Sequence, residues 1–97
     1  MAQQSEKSKD EEKSLIRLVL DVLKPHEPSI IELANLLSKV KGVEKVHLLI
    51  VEVDAETETT KITIEGHGFR YNDVKRTIER YGAAIRSIDE VMVGKGG

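Results

Sequence analysis

The chain has no cysteine and no tryptophan, and only one phenylalanine and two tyrosines among 97 residues. Without thiols there is no disulfide, no thiolate metal centre and no cysteine nucleophile, a pattern that fits a reducing compartment. With Phe69, Tyr71 and Tyr81 as the sole aromatics, the core has to be built from valine, isoleucine and leucine. Long apolar runs are missing too: the longest, Leu48 to Val51, falls far short of the ~20 residues a membrane helix needs. No sign of charge dominates, since the net charge is -2, whereas nucleic-acid binders usually carry a strong basic excess. The opening MAQQSEKSKDEEK is charged and holds no apolar segment, so it does not read as a secretion signal. The expectation is a cytoplasmic protein with neither a membrane nor a nucleic acid as partner. Catalytic signatures are absent as well: no G-x-S-x-G, H-E-x-x-H, P-loop or G-x-G-x-x-G occurs, so no enzyme is expected.

What is present is a globular balance of 39% hydrophobic and 33% charged residues, enough for one small domain. Residues 1–13 contain almost nothing to bury and read as a flexible tail, residues 14–93 as the domain, and residues 94–97 as a loose end. Leu15 to Leu23 alternates like a strand, with Ile16, Leu18, Leu20 and Val22 on one side and Arg17, Val19 and Asp21 on the other. Pro25 and Pro28 break it. Ser29 and Glu32 then form a capping box, and Ile30, Leu33, Leu37 and Val40 recur at helical spacing. Gly42 supplies the helix stop. The longest β-favouring stretch follows, Val43 to Asp54, apolar on both alternating sets. A polar turn, Ala55 to Thr60, leads to a strand over Lys61 to Gly66. A second helix is expected over Tyr71 to Tyr81, then a last strand within Ala83 to Val93. Ile85 and Ile88 have opposite parity there, which suggests a bulge.

The order strand, helix, strand, strand, helix, strand predicts an α+β, ferredoxin-like βαββαβ sandwich. Its antiparallel sheet has order 4-1-3-2, and both helices lie on one face. In that arrangement the first and third strands are antiparallel neighbours. Pairing Arg17 with Glu65, Val19 with Thr63 and Asp21 with Lys61 puts opposite charges together on the open face. The same register sets Leu18 on Ile64 and Leu20 on Ile62 beneath the helices.

Two groups of residues are candidates for function. Val19, Leu49, Val51 and Val53 fall on the open face, where an apolar patch implies a partner, most simply a second copy of the chain. The loop after the first strand and the turn after the second lie at one edge of the sheet. There Asp21, His26, Glu27, Asp54 and Glu56, with Glu58 nearby, offer oxygen donors suited to calcium or magnesium. The alternative is a solvated acidic turn offset by Lys24 and Lys61. RNA recognition on this strand order uses aromatics on the central strands, but here those positions hold Val19 and Thr63. The functional expectation is a non-enzymatic homo-oligomeric module that binds a divalent metal or small ligand in a regulatory role. The alternative is a purely structural assembly or adaptor protein.

The phrases LDVLKPHEPSI, VEVDAETE and SIDEV together resemble a family of short archaeal proteins known as the domain of unknown function numbered 211. The resemblance covers Leu15 to Gly94 and implies a ferredoxin-like fold, ring-like homo-oligomers, an archaeal source and no established activity. The chain departs from that family's pattern at His67 to Arg70, where relatives are acidic, and at Arg86, where they carry histidine. A looser likeness to ACT regulatory domains lies in KGVEKV and the proline-bearing loop. The glycine that usually follows that proline is His26 here, which hinders close approach of a ligand to the backbone.

Overall fold

Alternating apolar and polar residues build β1 (Ser14–Pro25) as a central strand with Leu18, Leu20 and Val22 fully buried on one side. The computed structural model describes residues 13–95; of the tails expected at residues 1–13 and 94–97, residues 1–12 and 96–97 lie outside the described residues. After β1 come α1 (Ile30–Ser38), β2 (Val43–Val53), β3 (Thr57–Phe69), α2 (Tyr71–Arg80) and β4 (Ala84–Gly94). The strands form one antiparallel sheet in the order β2-β3-β1-β4, the same as 4-1-3-2. Leu33 and Leu37 of α1 and Val74 and Ile78 of α2 join one core cluster with Leu18, Leu20, Ile62 and Ile64. Both helices therefore cover the same face, as the βαββαβ order requires.

Local chemistry sets the element ends. The capping box forms as its spacing implies: Ser29 Oγ accepts from the Glu32 amide at 3.2 Å, and Glu32 Oε1 accepts from the Ser29 amide at 3.0 Å. Gly42 takes φ 90° after α1, and Gly82 takes φ 89° after α2. The β1–β3 register is the expected one, with Arg17 opposite Glu65, Leu18 opposite Ile64, Val19 opposite Thr63, Leu20 opposite Ile62 and Asp21 opposite Lys61.

The opposite parity of Ile85 and Ile88 resolves through register shifts in β4. Val22 pairs with Ile85, Asp21 with Ser87, Leu20 with Ile88 and Val19 with Glu90. Arg86 and Asp89 are the extra residues, so Ile85, Ile88 and Val91 face the same side as Val22, Leu20 and Leu18.

Four expectations are corrected. Val19 is 8% exposed, not part of an open patch, because long ion-paired side chains flank it on the open face. Val53 does not share the face of Leu49. The register shifts between Ile50 and Glu52, which sets Glu52 opposite Thr59 and Val53 opposite Glu58. β3 begins at Thr57 and runs on through Gly66 to Phe69, longer than Lys61 to Gly66. Gly94 belongs to β4, paired with Ser14, rather than to a loose end.

Candidate functional site

The corner formed by the β1–α1 loop and the β2–β3 turn is organised by a lysine. Lys24 has the same parity as Leu18, Leu20 and Val22, so it points to the helix-covered side and is 0% exposed. A buried ammonium is tolerated only if its donors are met. Lys24 Nζ donates to the carbonyl oxygens of Pro25 at 2.8 Å and Pro28 at 2.6 Å, and lies 2.9 Å from Glu58 Oε1. The two prolines hold the loop in a curl that turns these carbonyls inward, toward the amine.

The other oxygen of Glu58 meets His26. Nδ1 of His26 is 2.9 Å from Glu58 Oε2, and Nε2 is 3.0 Å from the carbonyl oxygen of Ala55. Both neighbours accept, so the ring fits best as an imidazolium donating from each nitrogen. The hydrogen bond to Glu58, followed by that to the Ala55 carbonyl, raises His26 above its ordinary value of 6.5. His26 and then Lys24 lower the Glu58 carboxyl below its ordinary value of 4.5. The loop is thus tied to the turn through one carboxylate shared by two cations.

Linkage gives this node a pH window. A raised histidine stabilises the fold fully below its unfolded value, and that contribution fades as pH rises through the folded value. A lowered carboxyl stabilises above its unfolded value, and the contribution is lost as pH falls through the folded one. The node is therefore expected to be strongest between about 4.5 and 6.5, with stability declining on the alkaline side of 6.5. Urea melts from pH 5 to pH 9 on the native chain and on His26→Gln check this. The alkaline decline should flatten in the variant, and an equal slope in both would remove His26 as its origin.

The residues expected to gather around a metal are only partly brought together. Asp21 lies on the open face, opposite Lys61 and Ser87, because its parity is odd where that of Lys24 is even. Glu27, Asp54 and Glu56 are exposed in the loop and the turn. His26 is in the corner, but both ring nitrogens already face acceptors. Among the described residues, no three His, Asp or Glu side chains are grouped so as to hold a metal ion. Lys24, expected only as a charge offsetting the turn, is instead the buried centre of the corner, and its parity on β1 was the signal for that.

Across the sheet, the open face is a lattice of ion pairs. Arg17 bridges Glu65 on β3 and Glu90 on β4, the latter at 3.0 Å. Lys61 Nζ lies 2.6 Å from Asp89, whose other oxygen accepts from Ser87 Oγ at 2.7 Å. Lys61 and then Ser87 hold the Asp89 carboxyl below its ordinary range. Farther along, His67 Nδ1 is 2.9 Å from Glu44, while His47 is exposed on β2. Beyond the ion pairs, both outer strands carry exposed aliphatics: Leu49 (53%), Val51 (58%) and Val53 (61%) on β2, and Ile88 (47%), Val91 (53%) and Val93 (53%) on β4.

A four-stranded antiparallel sheet under two helices, in this order, defines a ferredoxin-like α+β protein, here with a lysine-centred corner and apolar outer edges. The model of the DUF211 family, described as an uncharacterised ArCR, matches residues 16–96, and the chain belongs to that family. It is 44% identical over 79 residues to an uncharacterised protein of Methanocaldococcus jannaschii, covering 81% of each chain. None of the described helices is long and apolar enough to cross a membrane.

Proposed function

We propose that this protein is a non-catalytic self-assembling module whose copies join edge to edge, β4 of one against β2 of the next. The observation that carries the reading is the pair of aliphatic rows on the two outer strands, each strand eleven residues long. Such edges invite pairing unless charge, proline, bulges or a covering element blunt them; both edges bear bulges, but Leu48 to Val51 holds no charge at all. β2 runs parallel to β1 and β4 runs against it, so apposing the two edges continues the antiparallel sheet. Binding backbone and aliphatic side chains together is the cheapest way to cover both.

Calcium or magnesium at the corner is a separate reading with less support, since Lys24 already supplies the cation beside Glu58. We expect native mass spectrometry to give a defined oligomer whose mass does not change with EDTA. Val51→Glu and Val91→Glu should each break the assembly down. Mixing the two variants should yield dimers, because each retains the edge that the other lacks. A monomeric native chain would overturn the assembly reading, and dimers of either variant alone would replace β2–β4 pairing with like-to-like pairing. A mass lost on adding EDTA would restore the ion.

A further inference from the structure

The last turn of α1 and the length of α2 leave a groove of about 360 Å³ between them. It opens on the helix layer, away from the ion-paired face of the sheet. Four cationic side chains line it: Lys39 and Lys41 just beyond α1, and Arg76 and Arg80 on α2. Asp73 is the only carboxylate in the lining, and it lies 3.7 Å from Arg76. Among the described residues, Lys39, Lys41 and Arg80 form no ion pair. Residues 13–95 carry as many acidic as basic side chains, so the groove concentrates positive charge on a domain that is neutral as a whole.

Helix stability accounts for only part of this clustering. The carbonyl end of α1 presents roughly half a negative charge, which suits one lysine and leaves most of the positive charge unbalanced. On α2, Arg80 suits the carbonyl end and Arg76 pairs with Asp73, yet the two arginines stand four residues apart on one face and repel each other. A multiply charged anion would relieve both. Arginine guanidinium groups match phosphoryl oxygens as planar forks, while lysines add mobile point charges. The groove is not purely polar either, because Leu36, Val40 and the ring of Tyr81 are half-buried in its lining. Its size falls in the roughly 300–1,000 Å³ range of small-molecule sites.

We propose that this inter-helix groove binds a small organic phosphate carrying two or more negative charges. Arg76 and Arg80 take the phosphoryl oxygens, Lys39 and Lys41 add charge at the α1 end, and the organic body lies against Leu36 and Tyr81. A monocarboxylate is the wrong class, since one charge leaves most of the cluster unbalanced. The proposal is independent of edge assembly: the groove sits between the helices, and the edges are strands.

The test is an amide chemical-shift titration of the full chain with ADP at low salt, with pyrophosphate and adenosine as separate arms. Shifts should saturate and concentrate at residues 36–41 and 73–81. Pyrophosphate should bind the same residues more weakly, adenosine should bind far more weakly than either, and added salt should weaken ADP. Arg76→Gln with Arg80→Gln, both exposed and outside the core, should leave the rest of the spectrum unchanged and weaken ADP at least about tenfold. Absent or scattered shifts, or an unchanged affinity in the double variant, would overturn the proposal. A poly(U) oligonucleotide that displaces ADP and binds the same residues much more tightly would replace it with a nucleic-acid surface. Sedimentation of the double variant, which reads assembly separately, should match the native chain.

Discussion

Glu58→Ala is expected to cost the fold about 3 kcal/mol and to lower the melting temperature by on the order of 15 °C. The effect is large because of what the substitution leaves behind. Lys24 is fully buried, so removing its carboxylate strands an ammonium with only the carbonyl dipoles of Pro25, His26 and Pro28 for company. Breaking a buried pair from one side is far costlier than replacing both partners. Lys24→Met should therefore cost less: Glu58, at 14% side-chain exposure, can still reach water and still holds His26. Combining Lys24→Met with Glu58→Ala should recover part of the loss, a coupling that a double-mutant cycle reads directly. His26→Ala should be milder than Glu58→Ala, because the ring is 43% exposed and its removal leaves the Lys24–Glu58 pair intact. Thermal and urea melts of the four variants check the order. A Glu58→Ala protein within about 1 kcal/mol of the native chain would mean that the loop opens and Lys24 finds water instead.

Much of this corner was written in the sequence without being drawn out. The constant register that pairs Arg17 with Glu65 and Asp21 with Lys61 continues without interruption to Lys24 and Glu58. Parity alone then puts Lys24 with the apolar face and Asp21 with the charged one. The oxygen donors expected around one ion are accordingly divided between two sides of a strand. Element order, sheet order and the capping box were legible because each rests on local chemistry or on a topological rule with few alternatives. The bulges at Val51, Arg86 and Asp89 were not, beyond a hint in the parity of Ile85 and Ile88. Placing an extra residue depends on which side chains the neighbouring strand and helices can cover. Val19 looked like a surface residue because alternation says which face a residue occupies, not what lies over it. It stands on the central strand between Thr63 and Glu90, two residues from the ion-paired Arg17. The basic groove was hidden for a similar reason. Lys39 and Lys41 suit a helix end by their position, and nothing local in the sequence sets them beside Arg76 and Arg80 until packing brings the two helices together.

The largest loss of stability from a single added methyl group is expected at Gly66. Gly66-His67-Gly68 reads as a strand terminator in the sequence, yet β3 continues through it to the buried Phe69. Gly66 is there for space. A Cβ at Gly66 would stand 2.0 Å from the carbonyl oxygen of Gly42 and 2.9 Å from the amide nitrogen of Glu44. Both are backbone atoms, so no rotamer change relieves the clash. That same Gly42 carbonyl accepts from the His67 amide at 2.8 Å, which ties the end of α1 to β3. Gly66→Ala must therefore push the α1–β2 turn off the sheet and break this bond. The cost should lie at or above the top of the roughly 1–3 kcal/mol typical of overpacking. Gly68 supplies the control. Its φ of 76° strains any other residue, but an added Cβ there meets nothing within 4 Å, so Gly68→Ala should cost only about 1–2 kcal/mol. Gly42→Ala combines both burdens, a φ of 90° and contacts of 2.7 to 2.9 Å with the backbone of His67 and Phe69, and should rank with Gly66→Ala. Hydrogen exchange at the His67 amide should quicken in Gly66→Ala well beyond the change in Gly68→Ala. Equal melts for the Gly66 and Gly68 variants would show that the turn yields easily, and that close packing of the helix end on β3 is not what sets this part of the fold.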